Sequence, residues 1–497
     1  MEKIKNYVNK HDNVFMFIAI LLSTIGIAFN LSISNSDEIW NFQNVYKLYN
    51  GFIIYKDANV ICTPLFFYVG NAVFHIFGGN FLAFRIYGEM MITALFISTY
   101  YLLKLIGVEK KESVIITFIF ILLNRYNLLI TGASYNILAL IITIIGIILL
   151  IKNQKKSLKN LMFQGLILFL IFMTKQNFGI FYGIGLFIYE FIDNKKTKEK
   201  LKNLMIEYIS FLILFFIYLC YMLFTNNLYN FINMAFFSIS EFGEKNVYIN
   251  FGYVGFIAGL IFINIFLFFF LIKNKKINLK EKQKKIIQIL IPFSTLISLV
   301  IIPLVNDVHF GISSYLLIIT TLYLLKEILF KDFKINEKII ILIMFFIIGI
   351  GIIISSINFY WWESDIFSKE YKYKRENAYY GSMINEKTSK NIEIVDKYIE
   401  NNKRKVIILS NKAALYMVPL KRNNGKFDLA FKGNLGKDGE EGIIKELTEI
   451  KDTEILIEKE NDFSGISWQE SKKARDYILN NFKQIGEIEE FLIFLME

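Results

Sequence analysis

Two adjacent carboxylates, Asp37 and Glu38, are the residues of this chain best suited to moving a proton. They follow an apolar run, Val14 to Ser32, that is long enough to span a lipid bilayer. The pair is therefore expected at a membrane surface, where an ionised carboxylate is costly to desolvate. A solvated loop charge is the simplest explanation of an isolated acidic pair. Its interpretation therefore depends on what the rest of the chain places beside it.

The composition is that of a multi-spanning membrane protein. Of 497 residues, 55% are hydrophobic and 16% aromatic, and the mean hydropathy is +0.44. A net charge of +11 would suggest a nucleic-acid partner in a soluble protein. Here the lysines lie in short loops between apolar segments, which indicates membrane topology and no nucleic acid. Cys62 and Cys220 lie in different surroundings and indicate no disulfide framework.

The apolar runs predict about eleven membrane-spanning helices. Their approximate bounds are 14–33, 80–105, 113–130, 135–151, 161–174, 178–192, 204–225, 251–272, 286–305, 311–330 and 338–357. Lysines concentrate in alternate loops, at 104–111, 152–159, 195–202, 273–285 and 326–338. Because such loops stay in the cytoplasm, this bias predicts a cytoplasmic N-terminus and an extracytoplasmic C-terminus. The first run lacks a small-residue cleavage site, so it is expected to remain as a helix.

The chain divides into a membrane domain, 1–358, and a charged, mixed tail, 359–497. In the tail the pattern predicts helices at 388–401, 441–450 and 468–482, and strands at 405–410, 453–458 and 489–495. This alternation predicts a small extracytoplasmic α/β domain with a largely parallel sheet. Its glycines, Gly433, Gly436 and Gly439, are predicted to form a loop before a helix. No Lys-Ser/Thr pair follows them, as a phosphate-binding loop would require.

Many of the unusual polar residues fall at or near the predicted outer ends of the spans. They are Asp37, Glu38, Asp57, Arg85, Arg125, Lys175, Gln176, Glu241, Glu244, Asp307 and His309. Ionisable groups in a membrane domain mark a site or a pathway. Because these groups form one layer and no stripe across the bilayer, they favour a cavity that faces the surface. The first outer loop, about 34–79, is predicted to cover it with interfacial segments.

Several motifs of the chain occur in the order found in a known family. One span precedes S-D-E (36–38), and then come G-F-I-I-Y-K-D (51–57), T-P-L-F-F-Y (63–68) and F-G-G-N-F-L-A-F-R (77–85). This region resembles the membrane glycosyltransferases of the GT-C fold, in the branch of the protein O-mannosyltransferases and the lipid A aminoarabinose transferase. T-K-Q-N-F-G (174–179) and N-D-V-H-F (306–310) fit bacterial members of that group. Thr63 departs from the pattern, since it replaces one of two prolines.

The resemblance implies transfer of a sugar from a polyprenyl-phosphate donor to an acceptor outside the membrane. Such a transfer needs a base near the attacking hydroxyl and a positive environment for the leaving phosphate. Asp37 is the candidate base, and Glu38 is a second acid or an orienting group. A single displacement with inversion at the sugar carbon is the mechanism that we hypothesise. A lipid, a protein and a cell-envelope glycan all remain candidate acceptors.

Substrate binding is expected to use the other polar groups of the outer layer. Arg85 and Lys175 are candidate phosphate partners, because an arginine offers a bidentate fork and a lysine a point charge. His309 and Arg125 would add donors, and Asp307 could orient or pair with His309. The resemblance places Asp57 near the site, and Gln176 adjoins Lys175. For Lys175, an interfacial lysine that extends its ammonium to water is an equal alternative.

Metal dependence stays open at this stage. Asp37, Glu38 and Asp57 could hold a divalent cation through oxygen ligands, yet three carboxylates in one loop form no recognised coordination pattern. No other cofactor is indicated. Two other functional classes compete: a transporter or flippase of lipid-linked saccharides, which would show inverted repeats and broken helices, and a non-catalytic envelope assembly protein. No convincing repeat is visible in the sequence.

Overall fold

The computed structural model describes most of the chain and is mainly helical. The described residues are 12–24, 36–131, 133–153, 157–192, 196–239, 248–273, 279–329, 373–374, 383–384, 386–410, 413, 416, 424–427, 435–459 and 472–495. The predicted span at 338–357 and the glutamates 241 and 244 lie outside these residues.

Helices account for most of the described residues before 330. They are α1 (Asp12–Thr24), α2 (Ser36–Tyr49), α3 (Leu65–Phe77), α4 (Phe81–Leu105), α5 (Lys110–Thr131), α6 (Tyr135–Lys152), α7 (Leu158–Thr174), α8 (Gln176–Ile192), α9 (Thr197–Phe224), α10 (Leu228–Ile232), α11 (Phe251–Lys273), α12 (Glu281–Ser298) and α13 (Asp307–Leu329). Six segments among the described residues are long and apolar enough to cross a membrane. They are Phe81–Leu105, Tyr135–Lys152, Thr197–Phe224, Phe251–Leu271, Glu281–Ile301 and Val308–Glu327. The chain is therefore a membrane protein, while the number of eleven spans stays a prediction.

The chain forms two compact units. The first comprises 1–27, 88–216 and 248–365, and the second comprises 28–87, 217–247 and 366–497. The first outer loop and the C-terminal tail thus belong to the same unit.

Small residues allow the helices of the first unit to approach closely. A Cβ atom added at Gly165 of α7 would lie 2.4 Å from the backbone oxygen of Glu207 in α9. At Gly185 of α8 it would lie 2.8 Å from the ring of Phe293 in α12. Such contacts are typical of helix packing in membranes, where dispersion between closely spaced backbones replaces the hydrophobic effect. A short parallel pair, β1 (Tyr248–Ile249) with β2 (Leu304–Val305), also joins two loops of this unit.

Aromatic packing stabilises the first outer loop in the second unit. Helices α2 and α3 pack against each other, and the fully buried ring of Phe42 lies against the rings of Phe74, Phe81 and Phe84. Ring centroids in these pairs are 5.3 to 5.9 Å apart, within the range in which aromatic pairs attract beyond their buried area. The loop is therefore a packed helical structure.

The C-terminal tail folds around a four-stranded sheet. It contains β3 (Tyr373–Lys374), β4 (Met383–Ile384), α14 (Glu386–Asn401), β5 (Lys405–Leu409), α15 (Gly439–Glu449), β6 (Thr453–Glu458), α16 (Lys472–Asn481), β7 (Lys483–Ile488) and β8 (Phe491–Leu495). The sheet order is β5-β6-β8-β7, and β3 and β4 pair separately. Helices α15 and α16 cover an apolar core that includes Ile407, Leu447, Ile455, Ile478 and Phe494.

The prediction of a largely parallel sheet is wrong. Only β5 and β6 are parallel, whereas β8 is antiparallel to both β6 and β7. Sequence patterning missed β7, because this edge strand is mostly solvent-exposed and its sequence, K-Q-I-G-E-I, lacks a buried apolar face. A tight turn at Glu489 and Glu490, with a positive φ of 48° at Glu489, joins it to β8 as a hairpin.

Candidate functional site

The acidic pair lies at the beginning of α2. Asp37 and Glu38 are the second and third residues of that helix. Carboxylates in a first helical turn interact favourably with the partial positive charge of the helix N-terminus. The side chain of Asp37 is outside the described part of the structure, so its position is known only from the helix backbone.

Glu38 forms a buried ion pair with Arg85. The Nη2 atom of Arg85 lies 2.8 Å from Oε2 of Glu38, and the two side chains are 2% and 1% exposed. The guanidinium also lies 4.9 Å from the ring centroid of Phe81. Because Arg85 belongs to α4, the pair fixes the start of α2 against that helix. Sequence reasoning placed both residues in one layer but did not predict that they pair with each other.

Asp57 closes a turn within the first outer loop. Its Oδ2 atom accepts a hydrogen bond of 2.8 Å from the backbone N–H of Ile53. The ammonium of Lys47, a buried residue of α2, donates to the backbone oxygen of Asp57 at 2.7 Å. These contacts tie the turn 53–57 to α2. Sequence reasoning did not single out Lys47, because lysines are frequent in the predicted loops of this chain.

Lys175 lies where four helices of the first unit begin or end. It caps α7 in an extended conformation and precedes α8. Its ammonium donates to Oδ1 of Asn136 in the first turn of α6, and it interacts electrostatically with His309 in the first turn of α13. The ammonium also lies 5.5 Å from the ring of Tyr135. Lys175 is thus near the N-terminal ends of α6, α8 and α13.

The side chains around His309 are ordered by polar contacts. Its Nδ1 atom lies 2.8 Å from Oδ1 of Asn306, and its backbone N–H donates to the same oxygen at 3.0 Å. Asn306 therefore orients His309, while the part that sequence reasoning gave to Asp307 stays a prediction. Gln176 is buried at the start of α8. The side chains of Arg125 and Asp307 lie outside the described part of the structure.

Sequence reasoning missed several further buried carboxylates of the first unit, among them Glu190 and Glu207. Glu190 of α8 accepts a hydrogen bond of 3.2 Å from Asn203 of α9, and Glu207 is buried in the same helix as Asn203. Both glutamates interrupt apolar helical runs, which is the signal that could have identified them. No group of three or more His, Cys, Asp or Glu residues in the described ranges is arranged to hold a metal ion.

The comparisons with known proteins identify a related fold. The structure is similar to the archaeal oligosaccharyltransferase AglB from Archaeoglobus fulgidus, solved in complex with an inhibitory peptide and a dolichol-phosphate. The TM-score is 0.50 at 10% sequence identity, and the match covers 91% of this chain and 70% of AglB. No protein-family model and no curated protein matches the sequence. The comparison shows a fold shared with this oligosaccharyltransferase.

Proposed function

We propose that this protein is an integral-membrane glycosyltransferase that moves a sugar from a polyprenyl-phosphate donor to an extracytoplasmic acceptor. The observation that carries the proposal is the contact of the Lys175 ammonium with Asn136 at the N-terminal ends of α6 and α8, within electrostatic range of His309 at the start of α13. Helix N-termini present unpaired N–H groups and partial positive charge, so they bind phosphate readily. The likeness to a protein solved with a dolichol-phosphate supports the same donor class.

Asp37 is proposed as the general base. The oxygen of an acceptor hydroxyl attacks the anomeric carbon of the donor, and its proton passes to the carboxylate of Asp37. The bond between that carbon and the phosphate oxygen breaks, and polyprenyl phosphate leaves with the electron pair. One displacement of this kind inverts the configuration of the sugar. Acceptors in this proposal are the hydroxyl groups of a lipid, a protein or an envelope glycan.

Glu38 and Arg85 are proposed as positioning residues for the helix that begins at Asp37. Their ion pair engages Oε2 of Glu38 within the protein, which fits the orienting role of this residue. The same contact turns the guanidinium of Arg85 toward Glu38, so we now assign Arg85 to positioning and not to the phosphate. Asp57 supports the adjoining turn through Ile53.

The remaining polar residues are proposed to surround the donor phosphate. Lys175 would supply a positive charge and Gln176 an amide at the start of α8, while the ring of His309 is oriented by its Nδ1–H bond to Oδ1 of Asn306. Arg125 and Asp307 are proposed members of the same group on the basis of their sequence positions. The lysine bias of the loops supports an extracytoplasmic site, with the N-terminus in the cytoplasm and the C-terminal domain outside.

Binding of polyprenyl phosphate, the product that remains after sugar transfer, tests the phosphate site without knowledge of the sugar. Purified protein in lipid nanodiscs is titrated with undecaprenyl phosphate and, in parallel, with undecaprenol, which lacks the phosphate. We expect Lys175→Gln to weaken binding of undecaprenyl phosphate by about ten- to hundredfold, the factor for loss of a charge-assisted hydrogen bond. Its affinity for undecaprenol should be unchanged. Lys198→Gln, at an exposed lysine of α9, is the matched control. Equal affinities of the Lys175→Gln and Lys198→Gln variants for the phosphate would refute the site.

Transfer is tested with polyprenyl-phosphate mannose, glucose and galactose in membranes that contain the protein. We expect Asp37→Asn to abolish release of polyprenyl phosphate while carrier binding persists, because the amide cannot accept the proton. Asp476→Asn, at an exposed position of α16, is the control. A flippase would move the intact donor across the bilayer without releasing the carrier. Full activity of a folded Asp37→Asn variant would refute the catalytic assignment.

A further inference from the structure

A short helical segment of the second unit holds the turn that follows α2. Asn227, which precedes α10, is 1% exposed, and its Nδ2 atom donates to the backbone oxygen of Ile54 at 2.7 Å. Phe231 of α10 lies 5.2 Å from the ring of Tyr55 in an edge-on arrangement. One side of α10 is therefore packed against residues 54 and 55 of the first outer loop.

The turn that α10 contacts is conformationally constrained. Tyr55 has a φ of 68°, in the left-handed region that a bulky side chain seldom adopts, and it is fully buried. Its hydroxyl donates to the backbone oxygen of Cys62 at 2.8 Å. The same turn is closed by Asp57 and is tied to α2 by Lys47. Contacts made by α10 thus reach the helix that begins with the acidic pair.

The other end of the segment contacts the C-terminal domain. Helix α10 continues into a π-helical turn, Asn233–Phe237. This geometry is rare in proteins overall but is often found at functional sites. Oδ1 of Asn233 accepts a hydrogen bond of 2.7 Å from the backbone N–H of Lys437, in the glycine-rich loop before α15. The ammonium of Lys437 lies 5.5 Å from the ring of Phe237.

Gly436 allows this close approach. Its φ is 82°, and a Cβ atom added there would lie 2.9 Å from Nδ2 of Asn233. The positive φ favours glycine at this position, and an added Cβ would also press on the side-chain amide of Asn233. This contact explains Gly436, one glycine of the stretch that the sequence indicated only as a loop.

We infer that Asn233 is a positioning residue that couples the C-terminal domain to the helix bearing the acidic pair. The coupling runs from Lys437 through Asn233 and α10 to Ile54 and Tyr55, and then through Lys47 to α2. This inference rests on the proposed function, which gives α2 its catalytic role. In this arrangement the C-terminal domain governs the rate of transfer by holding α2 in place, with no effect on binding of the carrier phosphate.

Hydrogen exchange of the full-length protein in nanodiscs tests the coupling independently of activity. We expect Asn233→Ala to raise amide exchange in residues 50–62 of the first outer loop as well as in residues 435–439. Asn233→Asp keeps an oxygen acceptor for the backbone N–H of Lys437, so it should restore protection. Asn481→Ala, which removes an exposed asparagine of α16, is the control and should leave both segments unchanged. Unchanged exchange of residues 50–62 in a folded Asn233→Ala variant would overturn the inference.

Transfer kinetics supply the second measurement. With whichever polyprenyl-phosphate hexose the protein uses, Asn233→Ala should lower kcat about tenfold, the factor for roughly one hydrogen bond, and leave KM for the donor unchanged. Gly436→Ala should lower kcat in the same way. Gly425→Ala is its matched control, because Gly425 also has a positive φ, 64°, but no atom lies within 4 Å of an added Cβ. Equal kcat values of the two glycine variants would contradict the coupling. If no donor is used, the proposed function fails, while the exchange measurement still decides the coupling.

Discussion

Replacing Arg85 by methionine tests whether a buried ion pair holds the start of α2. Methionine fills a similar volume without a charge, so the variant leaves the carboxylate of Glu38 buried and without its guanidinium. The two side chains are 2% and 1% exposed in the native protein, and their charged atoms are 2.8 Å apart. The substitution therefore removes one partner of a fully desolvated pair and alters little of the surface.

The expected loss is large for a single substitution. Removing one partner of a buried ion pair lowers the free energy of unfolding by about 3–5 kcal/mol, because the remaining charge is uncompensated. Loss of the contact between the guanidinium and the ring of Phe81 adds about 0.5–1 kcal/mol. Replacing both charged residues, as Glu38→Leu with Arg85→Met, should cost far less than the single change, since no buried charge is left.

Denaturant unfolding of the purified protein in detergent micelles measures these differences for Arg85→Met, Glu38→Leu and the double variant, which together form a double-mutant cycle. Arg404→Met is the matched control, because Arg404 also pairs with carboxylates, Asp452 at 2.8 Å and Glu454 at 3.3 Å, but is 42% exposed. Solvent screens such a pair, so the control should be much less destabilised. If Arg85→Met loses no more stability than Arg404→Met, the buried pair does not hold α2. A double variant as unstable as the single one would also refute the reasoning.

Two further predictions concern helix packing and pH. Gly165→Ala should lower the free energy of unfolding by about 1–3 kcal/mol, because the added Cβ would press on the backbone of Glu207. Gly259→Ala is the control and should cause no such loss, because no atom lies within 4 Å of an added Cβ there. Denaturant unfolding compares the two variants. Burial, and then the carboxylate of Glu490, raise the pKa of Tyr416 above its ordinary value of 10.0. Because the folded protein holds this proton more tightly than the unfolded chain, the phenol of Tyr416 makes its full contribution to the free energy of unfolding below pH 10.0. That contribution is lost as the pH rises above 10.0 toward the raised pKa of the folded state. Tyr416→Phe should flatten that fall in unfolding measured against pH, and an unchanged slope would contradict the assignment.

Local patterns were sufficient for most of the helices and for part of the C-terminal domain. Apolar runs predicted α4, α6 and α11 within a few residues of their observed bounds, because a membrane-spanning helix must satisfy its own backbone within a continuous apolar segment. The strand Thr453–Glu458 was predicted with its observed bounds, since it has an apolar centre rich in β-branched residues, I-L-I, at 455–457. Polar β7 was missed, and with it the antiparallel half of the sheet, because an exposed edge strand carries no comparable pattern.

The sequence by itself determined that the chain is a membrane protein and that acidic and basic residues cluster near predicted outer ends of spans. Only the tertiary structure decided how those charges are matched. Glu38 pairs with Arg85 and Asn136 with Lys175, each across a long sequence separation that no local pattern specifies. Asn306 and His309 also pair, but they are only three residues apart. Hydropathy and charge bias depend on the chemistry of single residues and their near neighbours. Pairing of buried polar groups depends instead on which helices pack together, because each such group must find a partner within hydrogen-bonding distance once water is excluded.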